Sequence, residues 1–222
     1  YTVEHVSGSA GNETVKIKAL GYSAEFSGIS RILANNAEDG TDYFELDTGI
    51  LVDANIHGGD GNDTLINQGT GKATFYGDAG NDKLYGGLND DILDGGDGDD
   101  TLMGLGGNAT LKGGAGDDTI YGGDDDDTVD DTGGTNEIKG EDGNDTISVT
   151  GGIDGTIDGG RGDDRISVAS VSIMIYGGEG NDEITFTGTN VFIDGGKGDE
   201  TILVQAETAE IYGGVGNETI VL

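Results

Sequence analysis

Proline, cysteine and tryptophan are absent from the 222 residues, and only two histidines and ten lysines and arginines are present. Without cysteine there is no disulfide framework and no thiolate-held zinc, although this does not choose a compartment. Without a basic patch there is nowhere for phosphates to land. The 44 Asp and Glu residues, giving a formal charge of -34, would repel nucleic acid and anionic membranes. No signal peptide and no run of ~20 apolar residues appears, so no membrane insertion is expected. Apolar residues make up 33% of the chain, too few for a thick conventional core. A chain so acidic repels itself and resists compaction unless cations neutralise the carboxylates.

What the chain has in abundance is glycine, 46 residues of it, arranged in a nine-residue unit. The clearest copies are GGDGNDTLI from Gly58, GGDGDDTLM from Gly95, GGAGDDTIY from Gly113, GGRGDDRIS from Gly159 and GGEGNDEIT from Gly177. Weaker copies start at Gly77, Gly86, Gly122, Gly140, Gly195 and Gly213. The eighth position is apolar in every unit from Ile56 to Ile220, with steps of nine except for ten at 65 to 75 and 147 to 157. Its neighbours are mixed, as in a short strand with one buried face. Glycine frequency and the period of two exclude helix, and a propeller would need a period of ~40 residues. Two units make a coil of eighteen residues, so the fold expected is all-β, a parallel β-helix solenoid whose coils stack ~4.8 Å apart.

The glycine-rich units come every nine residues between 77 and 130, but about every eighteen from 140 onwards. One edge of the stack thus loses its turns in the second half. Val149, Val168, Phe186 and Val204 each lie two residues after an eighth-position side chain and should point inward with it, giving longer strands and a larger apolar interior. Residues 1–55 fit the repeat poorly. Units align at Gly8 (GSAGNETVK) and Ala37 (AEDGTDYFE), and the stretch reads as a degenerate β cap or the end of a preceding domain, followed by a roll over 56–222.

The unit carries glycine at positions one, two and four and Asp at six. Glycine lets the backbone turn its carbonyls inward. Calcium takes six to eight oxygens at ~2.3–2.6 Å from carboxylates and carbonyls in a flexible cage. Magnesium keeps its waters, and transition metals want the His and Cys that are scarce here. The units resemble the repeats-in-toxin (RTX, hemolysin-type) nonapeptide G-G-x-G-x-D-x-U-x, whose calcium binding is a known property of the pattern. The resemblance implies a right-handed parallel β-roll that binds several Ca2+ ions between stacked turns. It also implies export from the bacterial cytosol unfolded, with folding outside the cell in calcium-rich surroundings. Carried onto this chain, it implies ligands Asp63, Asp82, Asp100 and Asp118 on one edge and Asp91, Asp127, Asp145, Asp164 and Asp182 on the other. Glu200 and Glu218 stand at the same position with a longer side chain, and Ala109 interrupts the series.

Other features are absorbed by the repeat. Arg161-Gly162-Asp163 spells an integrin-binding tripeptide but fills positions three to five of a unit, and sequons such as Asn144-Asp145-Thr146 follow from Asn at position five. Tyr76, Tyr85, Tyr121, Tyr176 and Tyr212 fall at position nine, where they are ordinary strand formers or a carbohydrate-stacking face. His5 and His57 are isolated and no nucleophile stands beside a base, so no enzyme is expected. The function expected is a calcium-dependent structural or folding segment of a large exported protein, such as an adhesin or surface fibre. The alternative is a polysaccharide-binding or accessory module of a secreted epimerase, protease or lipase. Ile220 and Leu222 would leave apolar side chains at an uncovered end of the stack, so the polypeptide is expected to continue or to associate end to end.

Overall fold

The computed structural model describes residues 2–7, 13–19, 22–35, 40–152 and 154–222. They form an all-β parallel solenoid of about 10 turns with no helix. The turn of the unit aligned at Gly8, and residues 37–39 of the unit aligned at Ala37, lie outside the described residues.

Register follows the repeat. Leu93 pairs with Leu111 and Leu102 with Ile120, eighteen residues apart. Ile56 pairs with Phe75 and Ile138 with Ile157, nineteen apart, so each extra residue in the sequence is absorbed within one coil without shifting the apolar column. A slip of one residue would turn that column to solvent. None of the eighth-position side chains from Ile56 to Ile202 is more than 1% exposed. Burying each contributes roughly 1.5–3 kcal/mol against the entropy of ordering the coil.

Successive strands alternate between two parallel sheets. One contains Asp53–Asp60, Ala73–Ala79, Ile92–Asp97 and Thr110–Ala115, each paired with the next. The other contains Thr64–Asn67, Lys83–Gly87, Thr101–Leu105 and Thr119–Asp124. In the second half Arg165–Glu179 and Glu183–Lys197 are single strands of 15 residues that run through the edge where turns stood before. The first part of Arg165–Glu179 pairs with Thr146–Thr150 and its last part with Gly155–Arg161, which belong to opposite sheets. Val149, Val168, Phe186 and Val204 are buried as the spacing predicts, joined by Ile173 and Val191. Where glycine turns are lost, apolar burial replaces them.

Before the repeat, Arg31–Asn35 and Tyr43–Leu46 already stack in parallel on Asp53–Asp60 and Thr64–Asn67. Thr2–Ser7, Glu13–Ala19 and Tyr22–Ile29 instead pair antiparallel, and Thr2–Ser7 also lies parallel to Tyr43–Leu46.

Candidate metal centre

The turn from Gly177 shows how the unit builds a site. Gly178 and Gly180 have φ of 116° and 137°, a region that L side chains rarely enter. Gly177 is required for a different reason. A Cβ there would lie 2.3 Å from the Gly195 carbonyl oxygen of the next coil and 2.4 Å from Asp182 Oδ2. The missing side chain leaves a cradle between a carbonyl and a carboxylate. The other carboxylate oxygen, Asp182 Oδ1, accepts the backbone N–H of Asp164 at 2.9 Å, and this fixes the side chain across the coils.

The same geometry recurs along both edges. Asp63, Asp82, Asp100 and Asp118 line the first edge, and Asp91, Asp127, Asp145, Asp164 and Asp182 the second; none is more than 2% exposed. In every one Oδ1 accepts a backbone N–H from the preceding coil while Oδ2 is buried without a hydrogen-bond partner. Glycine carbonyls of the following coil complete most cradles, as for Gly77 (Asp82 and Gly95) and Gly159 (Asp164 and Gly177). Among the described residues no three His, Cys, Asp or Glu side chains converge. Each cradle instead combines a carboxylate oxygen with backbone carbonyls or a second carboxylate, an all-oxygen set suited to calcium. A buried carboxylate oxygen without a partner is costly, and repetition in register makes a bound cation the economical explanation.

The departures have physical consequences. Glu200 is buried with neither oxygen partnered; its nearest atom to a Cβ at Gly195 would be Cγ at 3.1 Å, the distance of the Asp182 Cγ from a Cβ at Gly177, so its carboxylate oxygens lie further from the cradle than those of Asp. Glu218 repeats this against Gly213 with its Cγ at 2.9 Å and is half-buried. At Ala109 the cradle of Gly104 keeps the Gly122 carbonyl but faces a methyl.

Two features escaped the sequence reading. Asp42, sixth in the unit from Ala37, heads the first ladder by donating its N–H to Asp63 Oδ1 at 2.7 Å. The fifth position carries a second ladder of opposite sense, in which its side-chain oxygen accepts the N–H of the next coil: Asn181 N–H to Asp163 Oδ1 at 2.7 Å, Asp199 N–H to Asn181 Oδ1 at 2.9 Å. The signal was available, since the glycine-rich units from Gly58 onwards all carry Asn or Asp there. Arg161 ion-pairs with Asp142 at 3.0 Å and Asp163 belongs to this ladder, which accounts for both charged members of the Arg-Gly-Asp triplet.

Burial pushes the sixth-position carboxyls up from their ordinary 3.8, to about 7 in Asp91, Asp100, Asp127 and Asp164 and to about 6 in Asp82 and Asp145. Accepted backbone N–H groups offset only part of this. Through these groups the metal-free fold binds more protons than the unfolded chain between about pH 4 and 7, so their contribution to its stability is full below about pH 4 and is lost as pH rises through 6–7. The chain in chelator is expected to show more β-structure by circular dichroism at pH 5 than at pH 7.5; the opposite order would contradict the burial of these groups as carboxylates.

The family model described as RTX calcium-binding nonapeptide repeat (4 copies) matches residues 55–66, 68–102, 103–130, 126–155 and 176–204, more than half of the chain. No curated protein and no solved structure matches. With its glycine cradles and buried aspartates in the register that the repeat demands, the chain belongs to the RTX calcium-binding nonapeptide repeat family, and the ions its stacked turns bind are calcium.

Proposed function

We propose that this chain is a calcium-stiffened structural segment of an exported protein, with the nine aspartates above as its ligands and no catalytic role. The observation that carries the reading is the unpartnered Oδ2, repeated coil after coil against a glycine cradle. With a charge of -34 the chain stays expanded where calcium is scarce and folds where it is plentiful, which suits passage out of a cell and assembly outside it. No helix among the described residues is long and apolar enough to cross a membrane. Residues 1–55 serve as the cap of a roll over 56–222, supported by the antiparallel strands of Thr2–Ile29, one of which lies beside Tyr43–Leu46.

A second reading, recognition of polysaccharide, is favoured by one surface. Tyr85, Tyr121, Tyr176 and Tyr212 face outward from the same sheet, whereas Tyr76 stands on the other beside His57. Phe192 lies 5.8 Å from Tyr176 and 5.6 Å from Tyr212, beside a shallow groove of about 550 Å³ lined by Ser172, Asn190, Thr208 and Glu210. Rings with hydroxyl and amide groups suit a neutral sugar chain, and the local acids disfavour an anionic one.

Crystals grown in calcium test the first reading through anomalous scattering. Peaks are expected in the cradles of both edges up to residue 131 and of the second edge alone beyond it; empty cradles in a folded chain would overturn the assignment. The same crystals soaked in a neutral oligosaccharide test the second, which falls if no density appears over Phe192.

A further inference from the structure

We propose that Asp131 supplies a second carboxylate to the last calcium site on the first edge, and that Asn136 ends the column of ions there. The inference rests on the reading that the cradles hold calcium. It starts from the cradle of Gly113, which differs from its neighbours. A Cβ at Gly113 would lie 2.3 Å from Asp131 Oδ1 and 2.6 Å from Asp118 Oδ2, two carboxylate oxygens around one point. Where the cradles of Gly77 and Gly95 meet a glycine carbonyl of the next coil, this one meets a side chain, because the following turn begins with Asp131 in place of glycine.

Asp131 is 1% exposed, and Asp118 Oδ2 is buried without a hydrogen-bond partner. Among the described residues neither carboxylate ion-pairs with a lysine or arginine. The pair accepts neutral donors alone: the Gly114 N–H on Asp131 Oδ1 at 3.1 Å, the Asn136 amide on Asp131 Oδ2 and the Asp100 N–H on Asp118 Oδ1 at 2.8 Å, which bring no positive charge to two buried carboxylates. A divalent ion between them would. This site would then be neutral, whereas a cradle with one carboxylate keeps a net positive charge, and calcium affinity rises with the number of charged ligands.

Asn136 occupies the sixth position of the same turn. Its Oδ1 accepts the Asp118 N–H at 2.8 Å, as an aspartate would. Its Nδ2, standing where the other members of the ladder leave an oxygen open, donates to Asp131 Oδ2 and to the Gly133 carbonyl. An amide donor there takes the place of a cation and leaves no buried charge behind. Beyond this turn the first edge has no further sixth-position carboxylate, and two coils later the chain passes the edge as continuous strand.

Native mass spectrometry of the full chain across buffered free calcium tests the proposal. Asp131→Asn is expected to weaken the most tightly held ion by about tenfold or more while the others bind as before. Asn136→Asp, which restores an open carboxylate, is expected to bind one ion more at saturation. Binding by Asp131→Asn that superimposes on the parent, or an unchanged ion count in Asn136→Asp, overturns the proposal, and the second variant decides alone if the first does not fold. A parent chain that binds no calcium would overturn the wider reading as well.

Discussion

Asp164→Ala is expected to lower stability in millimolar calcium by about 3 kcal/mol, whereas Asp163→Ala, one residue away, should cost no more than about 1 kcal/mol. The two aspartates differ in what they hold. Asp164 is 2% exposed; its Oδ1 accepts the Asp145 N–H at 2.8 Å, and its Oδ2 faces the cradle of Gly159 and the Gly177 carbonyl. Alanine would leave a buried N–H without an acceptor, at about 1–3 kcal/mol, and take a carboxylate from the ion. Asp163 is exposed, and its Oδ1 accepts from Asn181 at the rim of the turn, where water substitutes readily. In thermal melts a chain of this length moves about 2–4 °C per kcal/mol, so the variants should separate by several degrees. Equal losses in calcium would show that the sixth position is no more than a hydrogen-bonded turn residue.

Much of this architecture could be read from the sequence because one constraint repeats. The apolar eighth position specifies one inward side chain per strand, and the two steps of ten appear as pairs nineteen apart without disturbing the column. Inward placement of Phe186 and Val204 followed from strand parity alone. The fifth-position ladder was harder to see, because Asn and Asp already have a reason to occur in turns and their frequency suggested nothing further. Asp131 was hidden for a related reason. Its turn lacks the first glycine that marks a unit, so nothing in the sequence sets its carboxylate apart from the many other acidic residues, although it is buried. Glu200 continues the acidic series with both oxygens buried and unpartnered, but its longer side chain sets them further from the glycine cradle than those of Asp, a difference that residue type alone does not reveal. The separation of Tyr76 from the other four tyrosines was in the spacing, since nine residues change sheets and eighteen return to the same one.

Calcium itself has the largest effect expected. Nine buried aspartates stand in two columns, at the coil spacing of ~4.8 Å except where Ala109 separates Asp91 from Asp127, each with one oxygen unsatisfied. Like charges at such distances in a medium less polar than water repel by several kcal/mol per contact at an effective dielectric of ~20. The thin apolar column must overcome that repulsion in addition to chain entropy, and without cations the balance favours the expanded chain. Since the sites exist only in the stacked state, binding energy appears as folding energy, and extracellular calcium modules bind at about 10⁻⁴–10⁻³ M. The most direct measurement is far-ultraviolet circular dichroism of the intact chain at pH 7.5, in chelator and through a calcium titration into the millimolar range. The account predicts a disordered spectrum in chelator and a single cooperative change to β-structure as calcium is added. The same β spectrum in both conditions, with the same melting temperature, would contradict it.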